Sequence, residues 1–180
     1  MVMFTDESRF STSPDSPVMW WIKSGHNVYM ESQKFPPSIM VWAGIIGPQK
    51  TRLVKGPQRL NAQTYIEMLG GNGIDAFMRM CGQNALFQQD GATCHTATST
   101  LLWLHNQNVE CLRDWPGNSP DLSPIEQIWS IMKRFINQWF GMKSPLSVQQ
   151  LNDVVFEAYN AISWKTVAIL TLSAKYRMRI

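Results

Sequence analysis

Residues 114–126 read Asp-Trp-Pro-Gly-Asn-Ser-Pro-Asp-Leu-Ser-Pro-Ile-Glu, a Pro-rich turn that runs straight into a helical pattern. Ser123 suits a helix N-cap, Pro124 the first helical position and Glu126 the third. Behind them Ile125, Ile128, Met132, Phe135 or Ile136, and Trp139 recur at spacings of three and four, the period of a helix with one buried face. Gly141 is placed to end it. The stretch therefore predicts a long helix with an acid in its first turn. Ser-Pro-Ile-Glu is also a capping box, in which the Glu bonds back to the cap's amide, so Glu126 has an ordinary reading beside a functional one.

Two other acids stand in comparable positions. Residues 2–5 form a short apolar run that would set Asp6 at a strand's end, inside Phe-Thr-Asp-Glu-Ser (4–8). Ala85 to Gln88 is a second short strand leading to Asp90, inside Phe-Gln-Gln-Asp-Gly-Ala-Thr-Cys-His-Thr (87–96). In open α/β sheets ligands gather at the carboxyl ends of strands, although an Asp that ends a strand is also a common turn former. Carboxylates that converge from distant parts of a chain are a means of holding paired Mg²⁺ ions for phosphoryl transfer.

Between these motifs the pattern alternates. Residues 11–17 read as a turn, and Val18 to Lys23 as a short strand or aromatic loop. Ser38 to Ile46 is a near-continuous apolar strand stopped by Gly47-Pro48, with Thr51 to Val54 as its hairpin partner. Asn61 suits an N-cap for a helix carrying Tyr65, Ile66, Met68 and Leu69. Gly70-Gly71-Asn72-Gly73 should break that helix, and a second short one should run from Ile74 to Met80. Thr96 to Asn106 looks helical, with Leu101, Leu102 and Leu104 on one apolar side, and Val109 to Leu112 reads as another strand. A last helix is expected from about Ser147 to Ala161, with Leu151, Val154, Val155 and Ala158 inward, followed by a basic tail of Lys175, Arg177 and Arg179. Strands, then alternating helices and strands, then helices imply a mixed sheet with helices packed on it.

Composition sets bounds. At 180 residues, 44% hydrophobic and 16% charged, the chain suits one globular domain. A net charge of +3 permits a nucleic-acid partner without demanding one. Three widely spaced cysteines, Cys81, Cys94 and Cys111, argue against a disulfide framework or a structural zinc site. No apolar run reaches the length of a membrane span, and no signal peptide is supported.

The three acidic motifs, in this order and context, closely resemble the catalytic domain of mariner-superfamily (DDE) transposases. The separation of Asp90 and Glu126, 126 − 90 = 36 positions, is one longer than is usual in the animal mariner-type enzymes. Ser123 stands where the family usually has Asn, and Asp-Gly-Ala-Thr-Cys-His replaces the commoner Asp-Asn-Asp-x-x-His. The resemblance implies a ribonuclease H-like fold, a mixed five-stranded sheet flanked by helices. It implies that Asp6, Asp90 and Glu126 are the catalytic, metal-holding carboxylates for two Mg²⁺ ions, with Mn²⁺ able to substitute. The expected partners are DNA, as transposon ends and target, and a second copy in a homodimer, in the nucleus if the host is eukaryotic. His95 is expected to support a site carboxylate by a hydrogen bond. Lys133, seven residues after Glu126 on the same helical face, with Arg134 beside it, and Arg52 and Lys55, with Lys50 and Arg59 nearby, are candidate phosphate contacts. Glu7 is expected to point away from Asp6 and be structural.

Because Val2-Met3-Phe4 opens at once on a strand-like run, residues 1–180 are read as a single catalytic core of a longer protein, with no helix-turn-helix region recognised in it. A core of this family that no longer cuts, kept as a DNA- or protein-binding module, is the alternative. A ribonuclease H-like nuclease acting on another nucleic acid is a third reading, which the 114–126 signature disfavours.

Overall fold

The computed structural model describes residues 1–11, 36–81, 85–113, 115–116, 122–140 and 147–178. The expected turn at 12–17, the segment 18–23, His26, Asp114, the centre of the Pro-rich turn (117–121), Gly141, Arg179 and the side chain of Trp139 lie outside them.

The sheet is built on β2 (Ser38–Ile46). Its apolar run is uninterrupted because both faces are covered: Ile39, Val41, Ala43 and Ile45 pack to one side, Trp42 and Ile46 to the other. β1 (Val2–Ser11) lies antiparallel to it in a continuous register from Phe4↔Ile45 to Ser11↔Ser38. β5 (Leu86–Gln88) lies parallel to β1 on the other side. β3 (Gln49–Lys50) and β4 (Val54–Gly56) both pair with β2. The five strands follow the order β3-β2-β1-β5, with β4 off that path against β2. The expected strand at 109–112 is reduced to a parallel bridge between Cys111 and Phe87.

Helices cover both faces. On one side α5 (Pro124–Phe140), α6 (Val148–Ala161) and α7 (Trp164–Met178) enclose a core of Phe4, Phe10, Val41, Ile125, Ile128, Met132, Leu151 and Val155. On the other, α1 (Ala62–Met68), α2 (Ile74–Cys81) and α4 (Thr98–Asn106) enclose Met3, Trp42, Tyr65, Leu69, Phe77, Phe87 and Leu104. A one-turn α3 (Thr93–Thr96) follows Asp90. Asn61 and Ser147 form capping boxes for α1 and α6, the former as expected. All four residues expected inward on α6 are buried.

Several expectations are corrected. Asp6 does not end β1. The strand continues to Ser11 because β2 supplies a backbone partner for every residue, even where Asp6 and Glu7 interrupt the apolar pattern. The hairpin partner of β2 is split into β3 and β4, with Thr51 between them donating from its backbone N–H to Gly44 O. Gly70–Gly73 does not break its helix. It continues as a wide π-type turn, Leu69–Gly73, joining α1 to α2. Leu69 and Ile74 are buried at either end, and a Cβ at Gly73 would come within 3.0 Å of the Trp42 ring. Tertiary packing overrides the glycines' intrinsic preference. On α4, Leu104 is buried but Leu101 and Leu102 are exposed. The helix after α6, and with it the position of Lys175 and Arg177 on a helix and not in a tail, was not foreseen.

Lys50 is also corrected. Its ammonium donates to the carbonyls of Tyr159 and Ile162, the latter at 2.8 Å, and stands 4.6 Å from the centre of the Tyr159 ring. It therefore neutralises the negative end of α6 and is not a free phosphate contact. Burial lowers its pKa, but the carbonyls give its protons partners. Replacing Lys50 by Met, which keeps the stem and removes the charge, is expected to destabilise the fold by about 1–3 kcal/mol, the range for a hydrogen-bonded charged group. Urea unfolding of the two chains measures this, and an unchanged midpoint would refute it.

Candidate active site

The parallel pairing of β1 and β5 places the first two acids. Val2 pairs with Leu86, Met3 with Phe87 and Phe4 with Gln88, a constant offset of 86 − 2 = 84. Extended by two residues, the same offset matches Asp6 with 6 + 84 = 90, Asp90. The ladder itself ends at Phe4 and Gln88, and Thr5 closes it by donating its hydroxyl to Gln88 O at 2.6 Å. Asp6 thus stays on a paired strand while Asp90 stands just past the end of its neighbour. Adjacent strands are about 4.8 Å apart.

Side chains alternate along β1, as expected. Asp6 faces α5, where Trp129 Nε1 donates to Asp6 Oδ2 at 3.0 Å. Trp129 is three residues beyond Glu126, so the same helical turn brings both toward Asp6. The indole is itself fixed, stacked on Tyr159 at 6.4 Å and edge-on to Phe10 at 6.3 Å. Tyr159 is anchored in turn by its hydroxyl, which donates to Thr51 O. Burial, then the charge of Glu7, and to a smaller degree that of Glu126, push the Asp6 carboxyl up to about 7, against the pull of the Trp129 bond.

Glu7 faces the opposite side of the sheet and meets His95, not an empty surface. His95 is buried, and its Nδ1 lies 2.5 Å from Asp90 Oδ1 while Nε2 lies 3.2 Å from Glu7 Oε2. The Nε2 contact is close enough for an ion pair but off line for a hydrogen bond. Burial alone would lower the His95 pKa, but the Asp90 and Glu7 carboxylates together push it up to about 10. The ring is therefore an imidazolium clamped between two acids. The bond to His95 is the main cause that lowers the Asp90 pKa. Ala92 N–H also donates to Asp90 Oδ1 at 2.9 Å, an Asx turn that leads into α3. Both bonds fall on Oδ1, and the side chain is 56% exposed. Tyr65 packs 4.3 Å from the His95 ring and donates its hydroxyl to Gln89 Oε1, and Gln89 Nε2 donates to His95 O. Tyr65, Gln89 and Trp129 carry no motif of their own. Only the spacing of Trp129 from Glu126 signals its role.

No three His, Cys, Asp or Glu side chains among the described residues already form a metal cluster. The reason is visible at two of the acids: Asp6 is turned to Trp129, and Asp90 to His95 and Ala92. The donor chemistry nevertheless fits a hard divalent cation. The set is oxygen-only, and Asp6 carries a buried charge flanked by two further acids. The three thiols are free. Of the candidate phosphate contacts, Arg52, Lys55, Arg59 and Arg134 are exposed and Lys133 is half-buried. Among the described residues no helix is long and apolar enough to cross a membrane.

Comparison with known proteins bears on the family and the fold. A family model described as "DDE superfamily endonuclease" matches residues 1–146. The Tc3 transposase of Caenorhabditis elegans is 26% identical over 180 residues, covering 98% of this chain and 54% of the relative. The Tcb2 transposase of Caenorhabditis briggsae is 26% identical over 158 residues, covering 84% and 58%. The chain thus spans about half the length of these relatives. Among solved structures, the Mos1 mariner paired end complex with Mn superposes with a TM-score of 0.74 at 17% identity, covering 99% of this chain and 53% of that one. The catalytic domain of Mos1 mariner transposase gives 0.69 at 16%, covering 99% and 78%. The fold is therefore the ribonuclease H-like one expected.

The strained charge at Asp6 has a measurable consequence. Its folded pKa lies above the ordinary carboxyl value of 3.8, so ionising it costs stability progressively as pH rises from about 4 through 7. Without metal, Asp6→Asn is expected to melt a few degrees above the parent at pH 8 and to lose that advantage at pH 4. Calorimetric melts in EDTA at the two pH values check this. An equal or lower Tm at pH 8 would contradict the electrostatic account.

Proposed function

The chain belongs to the DDE superfamily endonucleases, and from that membership we propose that it is the metal-dependent catalytic core of a cut-and-paste DNA transposase. The observation that supports the reading is the β1–β5 ladder, whose offset carried two residues on matches Asp6 with Asp90, together with Trp129, three residues beyond Glu126 on its helix, bonding Asp6. We propose Asp6, Asp90 and Glu126 as the holders of two Mg²⁺ ions, for which Mn²⁺ substitutes because the donors are hard oxygens. When bound, such a pair would activate a water or the DNA's own 3′-hydroxyl as nucleophile and stabilise the leaving oxygen of an in-line displacement.

The rest is the work of this chain's own groups. Trp129 fixes one oxygen of Asp6. The His95 imidazolium, held from behind by Glu7, fixes one oxygen of Asp90 and keeps that acid ionised. The exposure of Asp90 leaves room for a DNA phosphate. Arg52, Lys55, Lys133 and Arg134 are proposed to contact the backbone of transposon-end and target DNA, a sequence-independent attraction that weakens with salt. A homodimer, and the nucleus of a eukaryotic host, belong to the same proposal. Residues 1–180 act in it as one catalytic unit.

Neither acid is preassembled around a cation, which is the feature a non-cutting, DNA-binding relic of the family would share. Calorimetric titration with Mn²⁺ separates the two. The parent is expected to bind, and Asp6→Asn and Asp90→Asn to bind at least tenfold more weakly with an unchanged circular dichroism spectrum. The same variants should abolish metal-dependent nicking of DNA. A folded parent that binds no Mn²⁺, with or without DNA present, would favour the relic. Full nicking by either variant would remove these acids from the site.

A further inference from the structure

Asp90 also forms part of the wall of an open cleft of about 880 Å³ that the three acids do not account for. One side of it is α4, through Leu101 and His105. The other is the segment from Val109 to Arg113, with Trp115 beyond it. α4 turns into that segment by a Schellman closure: Asn108 adopts a left-handed conformation with φ 57°, and Val109 N–H donates to Leu104 O. The cleft wall is thus set by backbone geometry.

Two lining residues need an explanation. Leu101 is 45% exposed, a large apolar side chain on the open side of a helix whose Leu104 already serves the core. Trp115 is half-buried, its ring braced edge-on against the core residue Phe4 at 6.0 Å, and it still lines the cleft. A fixed indole and an exposed aliphatic side chain that line one cleft, with polar groups such as His105, Glu110 and Arg113 beside them, suit a flat ring with polar edges. The volume lies in the range of about 300–1,000 Å³ typical of sites for one small ligand, too small for a duplex. Asp90 is itself in the wall, so a nucleotide whose phosphate stood at that acid would carry its base into this space.

We propose that the cleft receives one unpaired nucleobase of the DNA strand cut at Asp90, with the base against Trp115 and Leu101 and Arg113 toward the adjoining phosphate. The inference rests on the reading of Asp90 as part of the cutting site. It gives the chain a means of holding a strand end apart from its complement, since base–aromatic stacking is tolerant of sequence.

The test is amide and indole nuclear magnetic resonance on the whole chain, titrated with thymidine 5′-monophosphate and, separately, with inorganic phosphate. The nucleotide is expected to shift the Trp115 indole and the amides of Leu101, His105 and Arg113, and phosphate alone to shift only those near Arg113. Leu101→Asp, at an exposed position where the fold tolerates it, is expected to weaken nucleotide binding about tenfold. Shifts elsewhere, shifts that phosphate reproduces in full, or shifts untouched by Leu101→Asp would overturn the proposal. Mn²⁺ added to the same samples should broaden signals around Asp6 and Asp90 in the parent and in Leu101→Asp alike. Broadening without nucleotide shifts in the cleft overturns the cleft alone. Nucleotide shifts without broadening overturn its link to metal-dependent cutting.

Discussion

The parallel pairing of β1 with β5 is the constraint on which the site depends. Only three residue pairs make up that ladder, yet they join parts of the chain more than eighty positions apart, and the same offset carried two residues on matches Asp6 with Asp90. A slip of one residue would turn Asp6 to the other face of the sheet, away from Trp129, and Glu7 away from His95. Register is held by burial on both sides: Met3 and Phe87 in one core, Phe4 in the other. Parallel strands need long crossovers, and β2 and the helices α1 and α2 fill the one here. The alignment of the two acids along neighbouring strands rests on apolar packing that has no chemistry of its own.

The two strand acids are treated in opposite ways. Asp90 has a protonated histidine, an Asx turn and open solvent, so its charge is stabilised. Asp6 has only neutral donors, the Glu7 backbone N–H and the Trp129 indole, against burial and two acidic neighbours, so its charge is destabilised. An acid held in that condition is a poor structural element and a good site for a cation, which would relieve what burial and Glu7 impose. His95 in turn depends on Glu7: with Asp90 alone, burial would work against its proton. Glu7 is thus a structural residue, as its position on the strand implies, whose structure is that of the site.

How much of this is legible in the sequence depends on where each signal is stored. β2 is read to the residue, because a strand covered on both faces is apolar throughout. α6 is read from its cap and period, and α5 from its period. β1 is cut short at Asp6 because its outer half is held by β2's backbone, which leaves no mark on side-chain pattern. The glycine run at 70–73 reads as a break because its continuity comes from Trp42, thirty residues away. α7 escapes because its exposed face carries Ile169, Leu172 and Tyr176 opposite buried Val167 and Ala174, which erases the contrast that marks an amphipathic helix. Lys50 is misread because a charge on a short hairpin strand looks the same whether it meets water or a helix end. The acids themselves are legible in their motifs, whereas Trp129, Tyr65 and Gln89 act through contacts that no local pattern encodes.

Glu126 shows why one residue can carry two readings without contradiction. A first-turn Glu on a helix begun by Pro124 sits where the helix dipole favours an anion. The same placement puts it at the end of the helix nearest β1, with Trp129 one turn on and bonded to Asp6. Helix geometry then links the two acids: any rotation of α5 that withdrew Glu126 would also break the Trp129 bond and unseat Ile125 and Ile128 from the core. The third carboxylate is kept in place by the burial of its neighbours on the helix.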